Sequence, residues 1–189
     1  MTPKEFEALL RKNRTALAKC VNRVLPVKLG QKAQSLFRKN FRDGGFFGSA
    51  WQETKREQSG GRDASSLYSP LTSSRNHLMS SVQYTPGNAT VTIYNRVVYA
   101  ALHNQGGTIS SPVTPQMRKF AWAKFYESGG GKKESAATNE ESEMWKRLAL
   151  TSKSKLSIRI PQRKFMGSHP YLKRELQDII ITEINKILK

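Results

Sequence analysis

Residues 81–95 read SVQYTPGNATVTIYN. Val82 and Tyr84 alternate with polar neighbours, Val91 and Ile93 do the same, and Pro86-Gly87-Asn88 stands between the two runs. Period-two alternation on both sides of a turn tripeptide predicts a β-hairpin with one apolar face. Just upstream, LTSSRNHLMS (71–80) reads as a short helix leading into the first strand. Just downstream, RVVYAALHNQGG (96–107) is an apolar segment that Gly106-Gly107 ends, read as a short helix or irregular crossing packed against the hairpin.

Helical periodicity frames this hairpin. Phe6, Leu9, Leu10, Leu17, Val21 and Val24 recur at helical spacing and predict a helix over 4–24, with Pro26 forbidding its continuation. Leu29, Ala33, Leu36, Phe37 and Phe41 predict a second helix that stops at Asp43-Gly44-Gly45. The polar stretch 52–69, with Gly60-Gly61, reads as a loop. Thr114-Pro115 supplies an N-cap and a first helical residue for the stripe Met117, Phe120, Ala121 and Phe125, and Ser128-Gly129-Gly130-Gly131 reads as a flexible tip. Thr138 and Glu141 have capping-box spacing ahead of a helix that turns Met144, Trp145 and Leu148 inward. Leu156, Ile158 and Ile160 alternate up to Pro161 and predict a strand that joins the hairpin as a third. Leu172, Leu176, Ile179, Ile180, Ile184, Ile187 and Leu188 trace one face of a terminal helix starting near Pro170. The expected fold class is α+β: a small antiparallel sheet packed with N-terminal and C-terminal helices, one domain over 1–189 with a long helical insertion at about 108–155.

The chain has 189 residues, of which 32 are Lys or Arg and 14 are Asp or Glu, a net charge of +18. Residues 1–56 carry 13 basic and 4 acidic side chains, 57–116 carry 3 and 2, and 117–189 carry 16 and 8, so the middle is nearly neutral. Such an excess favours a polyanionic neighbour. The basic pairs, among them Arg11-Lys12, Arg38-Lys39, Lys132-Lys133 and Arg163-Lys164, are scattered, which fits either a solvated surface or a face gathered by folding against nucleic acid. No apolar run reaches the roughly 20 residues of a membrane span, so a soluble protein with no membrane partner is expected. The lone Cys20 has no disulfide partner in the chain and suits a reducing cytoplasm; beside Val21 on an apolar face it reads as a small hydrophobe.

Catalytic signatures are missing. There is no Gly-x-Ser-x-Gly elbow, and Gly131-Lys132 is followed by Lys133 where a phosphate loop needs Ser or Thr. His77, His103 and His169 lack the spacing of a metal site, and Trp51, Trp122 and Trp145 read as core or interface anchors. The expectation is a protein without enzymatic activity, metal or cofactor.

Four separated segments are similar to one known family. They are FRDGGFFGSAW (41–51); LTSSRNHLMSSVQY (71–84) with TVTIYNRVVYAALHNQGG (90–107); VTPQMRKFAWAKF (113–125); and IRIPQRKFMGSHP (158–170). In order and spacing the chain resembles the virion morphogenesis or tail completion proteins of contractile-tailed, Mu-like phages. It departs from their pattern at Asn104, which separates His103 from Gln105-Gly106, and at Lys164-Phe165, where Pro-Phe is more usual. The resemblance implies a non-enzymatic part of the virion at the head–tail interface, assembled in the host cytoplasm, that completes or terminates the tail so that a filled head can attach. It implies a ring of copies of this chain, a hexamer by analogy with related connector families. Its partners would be the tail tube, head-completion or connector proteins, and genomic DNA passing through the lumen. Trp51, His103, Gln105, Gly106, Arg163 and Phe165 in these segments are candidate subunit or partner contacts, with turn-making and core-filling as the competing roles. Lys153, Lys155, Arg159 and Lys164 are candidate DNA-facing cations. A sequence-independent nucleic-acid-binding protein is the alternative that charge alone supports.

Overall fold

The computed structural model describes residues 2–54, 68–129 and 140–188. The predicted loop over 52–69, the tip after Ser128 and the Thr138 cap fall mostly or wholly outside them. The fold is α+β, helices with small antiparallel two-stranded ladders. It forms two compact units, one from the described residues of Met1–Gly106 with Pro161–Lys189, the other Gly107–Ile160.

In the first unit, α1 (Pro3–Lys19) opens on a capping box, with Thr2 and Glu5 bonding each other's backbone N–H. Pro26 does not end the helix. A π-helical turn over Cys20–Val24, closed by Leu25 N–H on the Cys20 carbonyl, carries the chain directly into α2 (Leu25–Asp43). The wider turn relieves the clash of the pyrrolidine ring with the turn before it, and the missing donor falls at the start of α2. Gly44, at φ 65° and ψ 29°, terminates α2 in the left-handed conformation that glycine adopts without strain.

α2 is the spine of this unit. Its stripe Ala33, Leu36, Phe37 and Phe41 is buried with Trp51, Leu78, Val82, Ala100, Phe165 and Leu172 in one core. The hairpin forms as the alternation predicts: β3 (Val82–Pro86) pairs with β4 (Val91–Asn95), with Tyr84 opposite Ile93. It lies close on α2 because Gly30 has no side chain; a Cβ there would sit 2.2 Å from the Tyr84 ring. Gln34 and Arg38 donate to the carbonyls of Ser80 and Val82 where β3 begins. A two-rung ladder of β1 (Gly45–Phe46) and β2 (Ser49–Ala50), the short helices α3 (His77–Ser80) and α4 (Ala100–Gln105), and the terminal α7 (Pro170–Leu188) complete the unit. Ion pairs Lys28–Glu183 and Lys32–Glu175 join α2 to α7. Lys32 holds the Glu175 carboxyl below its ordinary range, and Lys186 followed by Lys28 does so for Glu183. Tyr99, from the apolar segment 96–107, is 44% exposed and bonds His77 through its hydroxyl.

The strand expected as third in the hairpin sheet is not there. β6 (Lys155–Ile160) pairs instead with β5 (Gly107–Pro112), register Gly107 to Ile160 and Pro112 to Lys155, as a separate ribbon in the second unit. Between the two strands of the ribbon the chain forms α5 (Pro115–Glu127), capped by Thr114 on Met117 N–H, and α6 (Glu140–Ala149). Arg118 ties α5 to α6 through the Ala149 carbonyl. Only part of the predicted inward stripes is covered: Ala121 and Phe125 are buried, whereas Phe120 and Met144 are about half exposed; Ala149, outside those stripes, is also buried. Among the described residues no helix is long and apolar enough to cross a membrane.

Candidate functional site

Six candidate residues converge in the first unit, where the segment after Pro161 is laced to α4 and to the chain leaving β2. The lacing is built from backbone groups. Arg163 N–H donates to the His103 carbonyl at 2.8 Å, and the Arg163 guanidinium donates to the Gln52 carbonyl through Nε (3.1 Å) and Nη2 (2.9 Å). Trp51 Nε1 donates to the Lys164 carbonyl at 2.7 Å. Phe165 packs on Phe41 at 4.9 Å between centroids, and Phe41 meets Trp51 edge-on at 5.7 Å. Phe165 is 1% exposed, Arg163 7% and Trp51 8%. A buried guanidinium satisfied by carbonyls is a clamp on chain direction rather than a free cation.

Gly106 and Gln105 sit at the end of α4. Gly106 takes φ 74° and ψ 170°, and a Cβ on it would lie 2.9 Å from the Gln162 backbone nitrogen. Only glycine fits that conformation and that approach. Gln105 is exposed and lines a pocket of about 210 Å³ with Asn95, Ala100, Asn104 and Phe165. His103 is half-buried, its Nδ1 without a hydrogen-bond partner among the described residues, and burial first, then the Arg163 charge, lowers its pKa from the ordinary 6.5.

Two asparagines that sequence reading passed over hold this region together. Asn40, 2% exposed, donates to the Phe165 carbonyl and accepts from Phe47 N–H. Asn104 Oδ1 accepts from both Phe165 and Met166 N–H at 2.9 and 3.0 Å. A polar residue inside the stripe Ala33, Leu36, Phe37, Phe41 was the available signal for Asn40, because an amide in a core needs dedicated partners. Asn104, visible only as a departure from the family pattern, is the residue that docks the segment after Pro161.

The four candidate cations divide between the two units. Lys153, Lys155 and Arg159 belong to the second unit, on and beside β6. Lys164 belongs to the first and places its ammonium 4.8 Å from the centre of the Phe46 ring. Among the described residues no group of three or more His, Cys, Asp or Glu side chains has the arrangement of a metal site.

The sequence model of the phage virion morphogenesis family matches residues 4–185 of the 189. The chain belongs to that family. No curated protein and no solved structure matches it. The match begins and ends in the first unit and its limits enclose the second. Membership points to a structural and assembly role in the phage virion. The laced segments, 41–51, 96–107 and 158–170, are ones that carry the resemblance, and they meet around Phe41, Asn104 and Phe165.

Proposed function

We propose that the protein completes or terminates the phage tail at the head–tail joint, as one subunit of a ring, a hexamer by analogy with related connectors, that lets a filled head attach. The observation that carries this reading is uncovered apolar surface on a chain of a virion assembly family. No residue of α1 is buried, and Phe6, Leu9 and Leu10 are 47%, 45% and 52% exposed on its apolar face. These side chains lie in the first turns of α1, farthest along the chain from its junction with α2, and an uncovered apolar surface of this kind is suited to a neighbouring chain. The second unit separately exposes Phe120, Tyr126, Met144 and Leu150. A ring subunit needs two different, mutually complementary surfaces, since head-to-tail contacts close only when each copy offers both. The tail tube and a head-completion or connector protein are the proposed partners above and below the ring, with genomic DNA in its lumen.

The test is electron microscopy of lysates from a phage with a stop codon in this gene. Filled heads beside unattached tails are expected, and overlong or ragged tails would narrow the role to length termination. Normal joined, infectious virions would sink the reading.

A further inference from the structure

The geometry points to one face of the β5–β6 ribbon as a contact surface for the phosphate backbone of double-stranded DNA. Directly opposed residues of an antiparallel pair share a face, and alternate residues along each strand return to it. The register therefore puts Thr108 with Arg159, Ser110 with Ser157, and Pro112 with Lys155 on one side. All six are exposed. The other side carries Ile109, Leu156, Ile158 and Ile160. Lys153, also exposed, stands two residues before β6, across a bend at Ser154.

The chemistry of that face is narrow. It offers three hydroxyls between two cations, with a third cation, Lys153, close by in the chain, and neither 107–113 nor 150–160 contains an Asp or Glu. Among the described residues no ion pair engages Lys153, Lys155 or Arg159. Ser and Thr hydroxyls and Lys or Arg heads are the groups that anchor phosphates. Lys155 and Arg159, four residues apart, stand about 14 Å apart along the strand, a span that covers several phosphates at roughly 3.4 Å of rise each. No Asn or Gln is present to read adenine edges and no aromatic side chain to stack an unpaired base. The face suits a duplex gripped without regard to sequence. This deepens the head–tail reading, in which DNA passes the assembled protein, yet it can be tested without virions.

The experiment measures fluorescence anisotropy of a labelled mixed-sequence 30-base-pair duplex with the full-length chain over a series of NaCl concentrations. The triple variant Lys153→Ala, Lys155→Ala, Arg159→Ala should flatten the dependence of log Kobs on log [NaCl] by about 2.7, or 0.9 per lost phosphate contact. A control triple on α1, Lys4→Ala, Arg11→Ala, Lys12→Ala, should shift it by less than about 1. Exchanging Lys for Arg and Arg for Lys at the three ribbon positions should restore the slope, and Ser157→Glu should weaken binding to every duplex sequence alike. Circular dichroism identical to the parent confirms that these surface changes leave the fold intact. An unchanged slope in the ribbon triple, an equal loss in the α1 triple, or tighter binding to a single strand of the same length would each overturn the assignment. A ribbon variant that loses duplex binding while the stop-codon phage still yields joined virions would leave this inference standing and remove the head–tail reading.

Discussion

Asn104 and His103 are adjacent in α4, yet their side chains do opposite things. Asn104 Oδ1 satisfies two backbone donors, so Asn104→Leu should strand both Phe165 and Met166 N–H and cost about 2–3 kcal/mol. Asn104→Asp keeps the acceptor and should stay within about 1 kcal/mol of the parent. Urea denaturation midpoints of the two variants check this, and equal losses would show that the amide oxygen is not the docking group. Among the described residues His103 makes no bond through Nδ1, and its neutral form is favoured by burial and by Arg163. Its folded pKa lies below 6.5, so the unfolded chain takes up the proton first as pH falls. The stability that its neutrality contributes is therefore complete above pH 6.5 and is lost on acidification through that value toward the folded pKa. Thermal midpoints from pH 7.5 to 5.5 should fall more steeply for the parent than for His103→Gln. Parallel curves would refute the role of this imidazole.

At the scale of elements, what was legible depended on how local the deciding interaction is. The hairpin of β3 and β4, the Gly44 stop of α2 and the Thr114 cap of α5 follow from neighbouring residues, and each forms where the pattern puts it. Pro26 misled because a ring that blocks an α turn is tolerated after a π turn, and nothing local in Cys20–Val24 announces one. β5 was missed since GTISSP is polar and short, with no period-two apolar signal, and its partner lies 43 to 53 residues away. Without β5, the alternation of Leu156, Ile158 and Ile160 had only the hairpin to join. The candidate site was legible as a set of segments but not as a set of roles. Trp51, Arg163 and Phe165 read either as contacts with other chains or as parts of the subunit's own core, and the bonds they make here run to the carbonyls of Lys164 and Gln52 and to the Phe41 ring within their own unit. Sequence gives the type of a side chain; whether a guanidinium meets a carbonyl of its own chain or a neighbouring subunit is settled by three-dimensional packing.

For the whole molecule, the two units are unequal in what they bury. All ten residues of the core cluster belong to the first, whereas the apolar side chains buried in the second, among the described residues, are those of Ala121, Phe125 and Ala149. A piece of about 54 residues with so little covered surface is near the limit at which a chain folds unaided. The two crossings between the units are adjacent on the first rung of the ribbon, where Gly107 pairs with Ile160. Partners on an antiparallel rung lie about 5 Å apart, a gap that an Asn-Gly turn closes. Replacing residues 108–159 by Asn-Gly should therefore leave a chain that unfolds cooperatively, with its thermal midpoint within a few degrees of the parent. The isolated 107–160 peptide should show no cooperative transition. An excised chain that fails to fold would mean that the core around Phe41 depends on the second unit. An excised chain that folds, but binds the 30-base-pair duplex with a slope lowered as in the ribbon triple, would separate the two tasks: a core that holds the subunit together, and an inserted ribbon that meets the DNA.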